Sequence, residues 1–179
     1  MSALPHNYAW LDHVGARPRM IDEALHLLGT AEQPGTANSP LILGWARELG
    51  AEIERDYRAD AVPWCGLFMG LVATRAGKTP PAKPLWAANW AHFGDAADRP
   101  MLGDVLVFQR PGGGHVGLYV AEDARSFRVL GGNQCDRVCI TAIARDRLKA
   151  ARRPHYHTRA ASVRAYAASG ADLLSANEA

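Results

Sequence analysis

The hydrophobic period of the chain changes once, near Met101, and that change limits the folds open to it. Before it, apolar residues recur at helical spacing; after it, they recur at every second position. Met20, Ile21, Ala24, Leu25, Leu27 and Leu28 follow Pro18 and stop at Gly29, which predicts a helix with proline at its start and glycine past its end. Ser39-Pro40 opens a second run, Leu41, Ile42, Trp45, Ala46 and Leu49, closed by Gly50, with Ser39 expected as the cap. The polar stretch 51–60 reads as a crossing to a denser run, Cys65, Leu67, Phe68, Leu71 and Val72, which stops at Gly77 and should be the central helix. Pro80, Pro81 and Pro84 then mark an exposed loop, and residues 86–94 read as a short aromatic helix. Beyond Gly103-Asp104, the segments 105–108 and 115–121 read as a hairpin, followed by strands at 127–130, 137–141 and within 148–158. The expected sheet is antiparallel and contiguous in sequence. Helices first and strands later predict an α+β fold.

At 179 residues the chain supports one domain with a full core. Residues 1–17 read as a lead-in that docks through Trp10, Leu11 and Val14, residues 18–159 as the domain, and the Ala/Ser-rich residues 160–179 as a tail, helical or disordered. No apolar run approaches the ~20 residues that span a bilayer, so no membrane insertion is expected. Met1 to Trp10 has no continuous apolar core, which argues against a secretory signal there. A net charge of +2 is too mild to argue for nucleic acid. Arginines and a lysine crowd the last quarter, from Arg137 through Arg145, Arg147, Lys149, Arg152, Arg153 and Arg159 to Arg164, and read more readily as a solvated face than as a polyanion site. Three cysteines, Cys65, Cys135 and Cys139, make neither an even disulfide framework nor a paired zinc spacing, and are read as reduced thiols. A metal site from Cys135, Cys139, His155 and His157 is disfavoured because His-x-His is not a usual structural-zinc spacing. No metal or cofactor is expected.

Cys65 stands where a Pro-limited loop turns into the central helix. There, unpaired N–H groups and the positive end of the helix dipole favour a thiolate. A lone cysteine at such a place is more often a small buried hydrophobe, so the reading depends on a base and a group to orient it. His115 is the best placed of seven histidines, because it opens a strand directly after three glycines. If strands 115–121 and 127–133 form a regular hairpin, opposed residue numbers have a constant sum and His115 faces Asn133. A bulge at Gly131-Gly132 would shift that register by one and bring Gln134 or Asp136 into the orienting role. The glycines 112–114 do not read as a phosphate loop, because they lead into a strand and not into a helix. Trp86 and Trp90, four apart, are either core or the lining of a substrate cleft.

Four ordered blocks, Pro63-Trp64-Cys65-Gly66-x-Phe68, Gly103-Asp104-Val105-x-Val107-Phe108, Gly114-His115-Val116-Gly117 and Leu130-Gly131-Gly132-Asn133-Gln134, resemble the CHAP and NlpC-type papain-like cysteine hydrolases, most closely a small phage and proteobacterial branch. Asn38-Ser39-Pro40 and the tryptophan-bearing segment after the cysteine add to the resemblance, which spans roughly residues 8 to 158. It implies a papain-like single domain, with N-terminal helices packed on an antiparallel sheet and the nucleophile at a helix N-terminus. It also implies an endolysin-like thiol hydrolase of bacterial peptidoglycan amide bonds, either an N-acetylmuramoyl-L-alanine amidase or an endopeptidase. Cys65 would be its nucleophile, His115 its base and Asn133 its orienting group, with Trp64, Trp86, Asn89 and Trp90 toward substrate. Trp64 replaces the aspartate that many NlpC-type enzymes use to grip a free amine, so their dipeptide specificity does not transfer. Only Tyr57 and Asp60 stand near the place of the CHAP upstream glutamine, which leaves the second oxyanion donor open. The protein is expected to be a monomer made in the cytoplasm and delivered to the cell wall or periplasm by a phage or a secretion system. The alternatives are a noncatalytic wall-binding module and a same-fold thiol amidase or transferase toxin acting on protein amides.

Overall fold

A computed structural model gives the protein's structure over residues 4–168 and 174–175. Four α-helices precede the sheet: α1 (Arg19–His26), α2 (Pro40–Leu49), α3 (Ala51–Asp56) and α4 (Cys65–Arg75). Six strands follow, β1 (Asp95–Ala96), β2 (Val105–Arg110), β3 (Gly113–Glu122), β4 (Ser126–Gly131), β5 (Cys139–Ala144) and β6 (Leu148–Arg153), in one antiparallel sheet of order β1-β6-β2-β3-β4-β5. The fold is α+β, with helices first and strands after.

Helix α4 is the hub. Every residue from Cys65 to Ala73 is buried, and the helix contacts α1 and α2 as well as β3 and β4 of the sheet. A helix apolar on all sides can sit only between two layers. Sheet residues divide by the two-residue period: Val105, Val107, Val116, Leu118 and Val120 join the helical core, whereas Leu106, Phe108, Tyr119, Phe127, Val129 and Ile143 form a second cluster with Leu148 and Ala151 against it.

Three local expectations change. Residues 51–56 form a short helix where a crossing was expected, whereas the lead-in docks on the core through Leu11, fully buried within a 3₁₀ segment, His6–His13, with Trp10 and Val14 packed beside it. Ser39 occupies the cap of α2, but its side chain makes no capping bond; its N–H donates to Asp60 Oδ2 at 2.7 Å. Asp60 Oδ2 also accepts from Gln33 N–H at 3.0 Å, and Asp60 N–H donates to Asn38 Oδ1 at 3.0 Å, so this buried carboxylate ties the Asn38-Ser39-Pro40 turn to the loop before Cys65. The sheet is not contiguous in sequence, because β6 returns to pair with β2, Leu106 facing Ala151, and only then with β1.

The return of β6 is anchored by charge. Arg152 donates to the carbonyls of Phe93 and Gly94 at 2.7 and 2.6 Å, and Arg153 grips the fully buried Asp104 through Nε (3.0 Å) and Nη2 (2.7 Å). Burial pushes the Asp104 carboxyl above its ordinary value in spite of Arg153, while the same contact makes Arg153 more basic. Much of the basic stretch is therefore internal bracing, with Arg145 likewise paired to Glu122 at 3.0 Å. The described part of the tail is not helical: Ser162 and Val163 are buried, Tyr166 stacks on Trp10 at 4.5 Å, and Ala167 and Leu174 bridge to Glu122 and Ala142. The rest of the tail lies outside the described residues. No helix among the described residues is long and apolar enough to cross a membrane.

Candidate active site

The site lies where β4 ends beside β3. Register in the β3–β4 pair is constant at Leu118↔Leu130 and Tyr119↔Val129, and the irregularity falls between Tyr119 and Ala121, not at Gly131-Gly132. Strand β4 stops at Gly131, however, so no ladder continues to Asn133. Asn133, Cys135 and Asp136 all take positive φ, 57°, 53° and 59°, and curl the chain instead. Gly132 sits against α4, where a Cβ would come within 2.6 Å of Phe68 Cβ and 2.7 Å of the Trp64 ring.

Cys65 is the first residue of α4 and 4 % exposed. Burial pushes its thiol above the ordinary value. The backbone N–H of Val116, the charge of Arg110, and the N–H groups of Gly66 and Cys65 itself favour the thiolate without offsetting that burial. The resting group is thus a thiol: the helix end acts as expected, but desolvation is the larger effect. Val116, whose N–H bonds the sulfur, directly follows His115 in β3.

His115 is 1 % exposed and pairs with Phe108 across β2–β3. Its Nε2 lies 3.0 Å from Gln134 Oε1. The Gln134 amide nitrogen donates to the carbonyls of Val129 (3.1 Å) and Cys139 (2.6 Å), so the amide can be turned only one way, with oxygen toward the ring. An acceptor facing Nε2 requires the proton on Nε2, which makes Nδ1 the basic nitrogen of neutral His115. The contact to the ring expected from Asn133 is made by its neighbour, Gln134, whereas Asn133 is buried and its Oδ1 has no hydrogen-bond partner among the described residues.

The four residues expected toward substrate separate. Trp64 and Trp90 are fully buried, with Nε1 bonded to Glu32 Oε1 at 2.7 Å and to the Pro84 carbonyl at 2.9 Å. Asn89 Nδ2 braces the proline loop through the carbonyls of Ala82 and Lys83 at 3.0 and 3.1 Å. Only Trp86 presents its ring, 69 % exposed. It stands at the site, because the Leu85 carbonyl presses on Gly66, where a Cβ would collide with it, and Ala87 packs on Gly114. The loop thus bridges the cysteine side and the histidine side.

Neither upstream candidate for an oxyanion donor is free for it: Tyr57 donates its hydroxyl to the Val62 carbonyl at 3.1 Å, and Asp60 holds the turn described above. A cleft of about 360 Å³ is lined by Glu32, Asp60, Cys135, Asp136 and Arg137, and by none of Cys65, His115, Asn133 and Gln134. Among the described residues no group of three or more His, Cys, Asp or Glu side chains is arranged to hold a metal ion. Compared with models of known protein families and with curated proteins, the chain matches none.

Proposed function

We propose that the protein is a cysteine amidohydrolase of the papain-like kind that cleaves an amide bond of bacterial peptidoglycan. The observation that carries this is the contact of His115 Nε2 with Gln134 Oε1, which leaves Nδ1 as the basic nitrogen of a residue whose strand neighbour, Val116, bonds the helix-end Cys65 through its N–H. In the proposed reaction Nδ1 takes the Cys65 proton as sulfur attacks the amide carbonyl, so the buried charge forms only with substrate in place. The imidazolium then gives that proton to the leaving amine, and water, activated by the same ring, releases the thioester. Backbone N–H groups at the start of α4 face the sulfur and are the natural donors to the oxyanion. Gln134 is neutral, so it orients His115 without adding a carboxylate's charge.

The peptidoglycan substrate rests on the sequence resemblance to CHAP and NlpC-type hydrolases. The exposed Trp86 favours a second reading, a wall-binding module that stacks on sugar without chemistry. Mass spectrometry of soluble products from purified peptidoglycan separates the two. New peptide or amine termini support hydrolysis and tell amidase from endopeptidase, whereas binding without released product contradicts it. Cleavage of a protein substrate with the wall untouched would move the activity to protein amides.

A further inference from the structure

Arg110, the last residue of β2, stands two positions beyond Phe108, which pairs with His115. Residues two apart on a strand share a face, so Arg110 is the diagonal neighbour of His115 on the face that carries its ring. Its Nε donates to the Gly114 carbonyl at 3.2 Å, which ties a half-buried guanidinium to the residue before His115. Gly114 in turn packs on Ala87, next to the exposed Trp86. The charge of Arg110 also favours the Cys65 thiolate. The planar guanidinium of arginine matches the geometry of a carboxylate.

We infer that Arg110 is the specificity residue of this site and holds a carboxylate on the substrate beside the scissile amide, so that acidic peptides are preferred over their amidated counterparts. The inference rests on the reading of Cys65 as the nucleophile. It can nevertheless be tested without hydrolysis, with iodoacetate and iodoacetamide, a pair of similar size that differs in charge. In each, the Cys65 thiolate displaces iodide from the CH₂ carbon. Peptide mass spectrometry reads Cys65 separately from Cys135 and Cys139.

In R110Q the iodoacetate-to-iodoacetamide rate ratio at Cys65 should fall about threefold to fiftyfold, the range for one unit charge at the diagonal distance in solvent of high to intermediate dielectric. R110K should keep part of the preference, and R125Q, which alters an exposed arginine in the β3–β4 turn, should keep all of it. A ratio in R110Q within about twofold of the parent overturns the inference, since no local charge would then act on the reagent. So does a Cys65 that neither reagent reaches, because a carboxylate held by Arg110 needs the same path. A protein that cuts no wall peptide but keeps the Arg110-dependent ratio fails the hydrolase proposal and not this one.

Discussion

Replacing Gln134 by alanine removes one side chain that serves three partners: the His115 ring and the carbonyls of Val129 and Cys139. Each buried acceptor left without its donor costs about 1–3 kcal/mol, and both carbonyls belong to sheet strands that retain part of their bonding, so a loss of about 2–3 kcal/mol in stability is expected. The effect on rate has a different origin. Without an acceptor at Nε2, the ring is no longer held to the tautomer with basic Nδ1, and a wrong tautomer or a misplacement of ~1 Å costs about 10²-fold or more. Initial rates of amine release from purified peptidoglycan, corrected for folded fraction by circular dichroism, should fall about 100-fold in Gln134→Ala. Asn133→Ala is the control. It removes a buried oxygen that has no partner among the described residues, but places alanine at φ 57°, at a cost of about 1–2 kcal/mol. Its corrected rate should stay within about threefold of the parent, because no bond to the ring is lost. Loss of rate in Asn133→Ala with Gln134→Ala fully active would refute the tautomer argument.

Three further outcomes follow from the packing around the site. Gly132→Ala puts a methyl within 2.6 Å of Phe68 Cβ, and overpacking of that kind should cost about 1–3 kcal/mol, read as a lower urea midpoint. Asp104→Ala strips Arg153 of its bidentate partner and leaves the Met101 N–H without its acceptor; chemical denaturation should show a loss of about 3 kcal/mol, the low end for a broken buried pair because Arg153 is partly solvated. Asp123 is held at about 2, below its ordinary 3.8, chiefly by the N–H of Arg125. A depressed folded-state value stabilises above 3.8 and loses that contribution as pH falls toward 2, so Asp123→Asn should flatten the pH dependence of stability in that window; an unchanged slope would contradict the assignment.

What could be read in the sequence was whatever a local period or a single turn decides. The apolar run from Leu67 to Val72 admitted only a buried helix, and the start of α4 at Cys65 followed from Pro63 and the loop before it. The β3–β4 register was countable along the strands, where Leu118↔Leu130 and Tyr119↔Val129 keep one sum and alternate between the two apolar clusters. The count failed past the end of the strand: Asn133 lies two residues beyond β4, in a left-handed turn that delivers Gln134 to the ring. Glycines 131 and 132 and the amide pair Asn133-Gln134 signalled that turn, but periodicity could not choose between the two amides. Strand β6 has little alternation in Leu148–Arg153, and its place is chosen by Arg152 and Arg153 reaching Phe93, Gly94 and Asp104, some 50 or more positions away. The burial of Trp64 was hidden for the same reason, since its Nε1 partner is Glu32.

The central claim is that Cys65 performs covalent chemistry on a wall amide. Its most direct test compares new amine release from purified peptidoglycan by the parent and by Cys65→Ala, a change that removes one sulfur from the start of α4. The account predicts release by the parent and only background release by a Cys65→Ala protein that remains folded. Equal release by both would contradict it.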